Sequence, residues 1–137
     1  MPAHRGRHSG RNSYELTLQD LLTNARFPDV VGLNCRALDR YKLGEVFQLE
    51  LLLGNHDNHI RSLIPQYVNS LLVAGRCISC DHESQTSLRG AATCLTTGHA
   101  AGAAAALASK CSGEVRQVSV PMLQQLLQSL SAILKTP

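Results

Sequence analysis

The sequence predicts a mixed α/β chain, and three features predict it. A short apolar run, Leu71-Leu-Val-Ala74, reads as a strand that breaks at Gly75-Arg76. A polar segment follows, then a stretch crowded with Gly and Ala that has helical spacing from about Thr93 to Lys110. Near the end, Leu123, Leu126, Leu127, Leu130, Ile133 and Leu134 make one apolar stripe at helical period, with glutamines on the opposite side. A strand ending in Gly-Arg, a loop and a small-residue helix together suit a large anionic or planar ligand. The glycine gives close backbone access, and the helix N-terminus offers free N–H groups and a partial positive charge.

Taken in order, residues 1–13 are rich in His, Arg, Gly and Ser and predict a disordered basic arm. Thr17 followed by Asp20 is a helix start signal leading into Leu18, Leu21 and Leu22. Phe27-Pro-Asp29 stops that helix in a turn. Val30 to Leu38 predicts a strand, and Gly44 to Leu53 another. Gly54-Asn-His-Asp-Asn58 reads as a polar turn, and Ile60 to Pro65 as an extended apolar segment. A helix over Thr93–Lys110 would be roughly 26 Å long at the standard rise. Gly98, Gly102 and Ala106 recur on one face of it, so a neighbouring backbone is expected to approach closely there. That packing must offset about 1 kcal/mol of lost helix propensity per glycine. Ser112-Gly113 ends the helix, and Ser119-Val-Pro121 starts the last one.

Composition bounds the rest. The 137 residues are the length of one domain, and 44% hydrophobic content is enough for a core. With two Phe, three Tyr and no Trp, that core must be mostly Leu, Val and Ala. The net charge of +3 owes much to Arg5, Arg7 and Arg11, which no aromatic or helical nucleic-acid reader accompanies. Five scattered cysteines argue against a disulfide scaffold and for a reducing, cytoplasmic setting. The N-terminal residues lack the apolar core of a secretory signal, and the Ala100–Ala108 run is too short and weakly apolar for a bilayer. Neither nucleic acid nor membrane is therefore an expected partner.

Several motifs invite chemistry. Cys77-Ile-Ser-Cys80 next to His82 resembles half a zinc site, but Cys94 and His99 complete no common ligand spacing, so no metal is expected. A redox dithiol at the same pair lacks the strand-to-helix context of redox folds. Asp81-His82-Glu83 is either a surface loop or a segment placing His82 in a ligand cavity as a proton carrier. His56 and His59 flank Asp57 and read as solvated turn residues. No Gly-x-Ser-x-Gly elbow, Walker A motif or Gly-x-Gly-x-x-Gly turn is present, so a complete dinucleotide site is not encoded here.

In order along the chain come Leu16-Thr-Leu18 with Asp20, Ala25-Arg-Phe-Pro-Asp29, Ile60-Arg-Ser-Leu-Ile-Pro65, Val73-Ala-Gly-Arg-Cys-Ile-Ser79, His82-Glu83, Ser87-Leu-Arg89, Thr93-Cys94 and Gly98-His-Ala-Ala-Gly102. This series resembles the C-terminal part of FAD-dependent oxidoreductases with a Rossmann-type FAD domain of the glutathione reductase superfamily. The resemblance spans roughly Tyr14 to Leu130. It implies a C-terminal piece of that FAD domain over residues 60–137, and strands and a helix of a substrate domain over residues 14–59. It also implies FAD contacts at Gly75, Arg76, Cys77, Thr93, Cys94, Leu95 and Gly98. Gly75 and Arg76 would sit by the ribityl-pyrophosphate, and the backbone at Thr93, Cys94 and Leu95 by the flavin pyrimidine edge. His82 and Arg89 are the candidates for catalysis. Two departures stand out: Ala91-Ala92 replaces the family's common Met-Pro, and Cys80 replaces a small residue. The glycine-rich half of the FAD domain is not in this sequence. The expected partner is therefore that N-terminal half, or a second copy of the chain, and the chain alone is expected to be inactive. The competing expectation is a small non-enzymatic interaction domain that associates through an exposed apolar surface.

Overall fold

The computed structural model describes residues 12–35, 37–40, 48–50 and 54–135. Short helix α1 (Leu18–Leu22) starts as expected: Thr17 Oγ1 accepts from the Asp20 N–H while Asp20 accepts from the Thr17 N–H, a reciprocal cap. The chain then enters β1 (Val30–Asn34), β2 (Leu38–Arg40), β3 (Gln48–Glu50) and β4 (His56–His59). β1 pairs antiparallel with β4, and β2 pairs antiparallel with β3. A 3₁₀ turn follows at Ile60–Leu63, a second at Gly75–Cys77, and then the short helix α2 (Gln85–Leu88). Long helix α3 (Ala91–Ser109), a 3₁₀ turn at Val115–Gln117 and helix α4 (Val120–Ser129) complete the chain. The mixed α and β content is as expected.

Several boundaries move. The predicted strand Val30–Leu38 holds β1 and only the first residue of β2, with Ala37 and the exposed Cys35 in neither. Of the predicted strand Gly44–Leu53, only Gln48–Glu50 lies within the described residues, and it is a strand there. The Ile60–Pro65 segment coils into a 3₁₀ turn instead of extending, because the Ile64 N–H turns back to the Arg61 carbonyl. Leu71–Ala74 is not a strand. Its Val73 N–H donates to the Leu63 carbonyl at 2.9 Å, but the segment joins no sheet among the described residues. Asn12 and Ser13, assigned above to the N-terminal arm, are docked: Asn12 bridges to Pro65 and is buried, and the Ser13 N–H donates to the Ile64 carbonyl at 2.8 Å.

One apolar cluster joins the two halves of the chain. Leu16, Val30 and Val31 pack with Ile60, Leu63, Ile78 and Leu88, then with Ala100, Ala103 and Ala104 of α3 and Leu123 and Leu127 of α4. Each fully buried leucine contributes on the order of 2 kcal/mol. The α4 stripe behaves as predicted for Leu123 and Leu127, while Leu130 and Ile133 lie beyond the helix end and are exposed. α3 packs through its threonines and alanines, not its glycines. Thr93, Thr97, Ala100, Ala103, Ala104 and Ala108 are buried, whereas Gly98 and Gly102 are exposed and an added Cβ at either would meet nothing within 4 Å. The close approach occurs on the strand side. A Cβ on Gly32 would overlap Thr96 Cγ2, so β1 reaches α3 only because position 32 lacks a side chain.

Candidate functional site

The Gly75–Cys77 turn and the first half of α3 form one unit. Gly75 has φ +64°, the left-handed region in which a side chain would be strained. That conformation aims its N–H at Thr97 Oγ1, 3.0 Å away. Thr97 Oγ1 in turn donates to the Thr93 carbonyl at 2.7 Å, so one hydroxyl ties the turn to the helix. A Cβ at Gly75 would come within 3.5 Å of Cys94 Sγ, which places Cys94 directly against the turn. Arg76 and Cys77 are exposed beside it, and Leu95 is 75% exposed one residue further along α3. Gly75, Arg76, Cys77, Thr93, Cys94 and Leu95 are therefore brought together; Gly98 follows one turn later on the exposed face.

The helix begins two residues earlier than its sequence suggests. Gly90 is the N-cap and supplies no side-chain cap. The Cys94 N–H donates to the Gly90 carbonyl at 3.0 Å, so the amides ahead of the first helical hydrogen bond are those of Ala91, Ala92 and Thr93. Thr93 adds a hydroxyl that is 1% exposed as a residue and has no hydrogen-bond partner among the described residues. An uncapped N-terminus, a buried unpaired hydroxyl and a left-handed glycine together fit an electron-rich edge held against this end of α3.

The other candidates lie elsewhere. His82 and Glu83 are exposed in a turn, and that turn is held by Asp81, whose carboxylate accepts from the Leu18 and Ser84 N–H groups, each at 2.7 Å. Arg89 caps α2 and is exposed, and its carbonyl faces Cys94 Sγ at 3.9 Å. Cys77 is exposed but Cys80 is buried, and burial pushes the Cys80 thiol up to about 11, the reverse of an activated thiolate. Among the described residues no group of three or more His, Cys, Asp or Glu side chains could hold a metal. An open cleft of about 700 Å³ lies on the neighbouring flank of α3, between Leu95, Thr96 and His99 on one side and Val31, Leu33 and Ile133 on the other. That size is within the range of small-molecule sites.

The sequence misplaced the histidines. His56 and His59 are not solvated turn residues; they are 1% and 0% exposed in β4. Burial lowers both from the ordinary histidine range to about 4, against the pull of neighbouring carboxylates, so both are neutral at neutral pH. Between them, Asp57 accepts from the Phe27 N–H at 2.9 Å and from Arg26 Nη1 at 2.7 Å. The ring of His59 lies against Tyr14 and Phe27, with centroids 4.5 and 4.4 Å away. Arg61 closes this cluster with two bonds to Asp29, 2.8 and 2.9 Å long. Burial opposes ionisation of Asp29, but the Arg61 bonds prevail and hold its carboxyl below the usual range. Nothing in the local composition signals this: His-Asp-Asn-His has the residue types of a turn.

Against known families, residues 6–127 match the family model of FAD dependent oxidoreductases. The chain belongs to that family. No curated protein and no solved structure matches it. FAD is thus the cofactor that the family implies. No helix among the described residues is long and apolar enough to cross a membrane.

Proposed function

We propose that this chain is the flavin-contacting C-terminal part of an FAD-dependent oxidoreductase of the glutathione reductase-like type, inactive until the glycine-rich half of the FAD domain is supplied. The observation that carries this reading is the junction of the left-handed Gly75 with an uncapped, 19-residue helix whose first turn holds the unpaired Thr93 hydroxyl. When bound, FAD would supply the hydride-accepting ring. The protein's part is to hold that ring's N1/O2 edge at the amides of Ala91, Ala92 and Thr93, where the helix dipole favours the negative charge of the reduced state. Exposed Arg76 offers forked donors to the pyrophosphate. The contacts to the adenosine half require a Gly-x-Gly-x-x-Gly turn, which this sequence lacks.

Flavin absorbance tests the reading. The purified chain should carry no stoichiometric flavin, and should retain it when mixed with a family member's N-terminal FAD half. A stoichiometrically yellow chain alone would overturn the need for the second half. Failure to retain flavin in the mixture would overturn the proposed role.

A second reading rests on Tyr67, Val68, Leu71 and Leu95, which are 84%, 48%, 44% and 75% exposed. Exposed apolar side chains of this size favour association. Light scattering separates the readings: the interaction-domain reading requires a stable oligomer or complex without flavin.

A further inference from the structure

The cleft of about 700 Å³ beside α3 shares only Leu95 with the residues that the family resemblance places at FAD. Three elements build it. β1 supplies Val31 and Leu33, α3 supplies Leu95, Thr96 and His99, and the segment after α4 supplies Ile133. Leu95 and His99 lie one helical turn apart and so share a face of α3. The third wall depends on Ser131, a non-glycine residue at φ +65° that turns the chain off the end of α4. A side chain in that left-handed region costs roughly 1–2 kcal/mol. The turn is held by the Ala132 N–H, which donates to the Leu127 carbonyl at 2.9 Å.

The lining selects by charge. Among the described residues that line the cleft there is no Asp, Glu, Lys or Arg. A charged ligand would lose hydration there without a counter-charge to offset the loss. A neutral one gains from burying its apolar surface against Val31, Leu33, Leu95 and Ile133. Leu95 and Ile133 stand on opposite sides of the cleft and are 75% and 68% exposed, so both have apolar surface left to cover. Polar groups accompany these walls. Asn34 is 4% exposed, and its amide nitrogen lies 3.0 Å from His56 Nε2 and 3.4 Å from the Ser87 carbonyl, so its position is fixed from within the protein. Asn55 and His99 add an amide and an imidazole. Mostly apolar walls with a few placed polar groups are the composition of small-molecule sites.

We propose that this cleft binds an uncharged, largely apolar organic molecule that carries an amide or carbonyl group. The apolar body lies between Leu95 and Ile133, and the polar group meets the amides and imidazole of Asn34, Asn55 and His99. The site does not depend on the flavin reading, because Gly75, Arg76 and Thr93 take no part in it.

Two probes of one shape and different charge test it: 2-naphthamide, which is neutral, and 2-naphthoate, which is an anion. In amide-resolved titrations of the full chain at neutral pH, 2-naphthamide should saturate, with its largest shifts at Leu33, Asn55, Thr96, His99 and Ile133. The naphthoate should bind at least about tenfold more weakly. Ile133→Glu places a charge on an exposed wall residue. It should weaken 2-naphthamide by at least about tenfold and leave the urea midpoint unchanged, as expected of an exposed position. Shifts that do not saturate or that centre outside the cleft, equal binding of the two probes, or a folded Ile133→Glu variant that binds like wild type would overturn the site. The two wild-type titrations decide the matter even if the variant fails to fold.

Discussion

β4 and the Leu71–Ala74 segment each adopt the structure that the other's sequence suggests. His56-Asp-Asn-His59 has no apolar residue, yet all four side chains are buried and the strand pairs with β1. Leu71-Leu-Val-Ala74 is wholly apolar, yet it joins no sheet among the described residues, and Leu71 is 44% exposed. The difference lies in what each segment meets. β4 finds an open edge on β1 and partners distant in sequence for two of its polar side chains: Asn34 for His56, and Arg26 with the Phe27 N–H for Asp57. Leu71–Ala74 finds only the Leu63 carbonyl. Apolarity made a strand probable, but an available edge decided where one formed.

The largest effect of a single substitution that would break this comparison is expected at Gly32. A Gly32→Ala substitution places a methyl where Thr96 Cγ2 already sits, forcing β1 away from α3. It should cost about 3 kcal/mol in urea unfolding, and Thr96→Ser should restore part of the loss. Retained stability in the single variant would show that the strand does not lean on the helix.

Acid should act next, and on β4 first. The folded-state values of His56 and His59 lie below the unfolded value, so protonation favours the unfolded chain. Stability should be full above about pH 6.5 and fall between about pH 6.5 and 4, by up to roughly 3 kcal/mol per histidine. Asp29 adds a loss at lower pH: its carboxyl is held below its unfolded value, so its contribution fades as pH falls through and below the ordinary carboxylate range. Chemical denaturation across pH checks both slopes. A flat profile from pH 7 to 4.5 would mean that the histidines are not buried.

Asp57→Ala should cost about 2 kcal/mol, because the Phe27 N–H loses its acceptor in a part-buried setting. The smallest effect sharpens the other half of the comparison. Leu71→Ser should change stability by less than about 0.5 kcal/mol, since the side chain is outside the core. Any change it causes should be in sedimentation or light scattering.

Legibility followed periodicity and covalent restriction. Thr17 with Asp20 marked α1, Pro121 marked the start of α4, and the spacing of Leu123 and Leu127 named its buried face. α3 was legible as a helix from its small residues, but the face that packs was not. Glycine spacing pointed to Gly98 and Gly102, while the close contact is at Gly32, across from a threonine whose sequence carries no mark of it. Family motifs pointed to the Gly75 turn and to Thr93, but Ala91-Ala92 in place of Met-Pro concealed where the free amides begin. β4 was illegible for a physical reason: its burial depends on long-range partners 22 and 30 positions away, which local composition cannot show.

The most direct test of the flavin-contact account is an amide-resolved titration of the isolated chain with flavin mononucleotide at millimolar concentration. The account predicts weak binding, with the largest shifts at Gly75, Arg76 and the amides of Ala91, Ala92 and Thr93. Shifts confined to the cleft at Leu33, His99 and Ile133, or none in the first turn of α3, would contradict it.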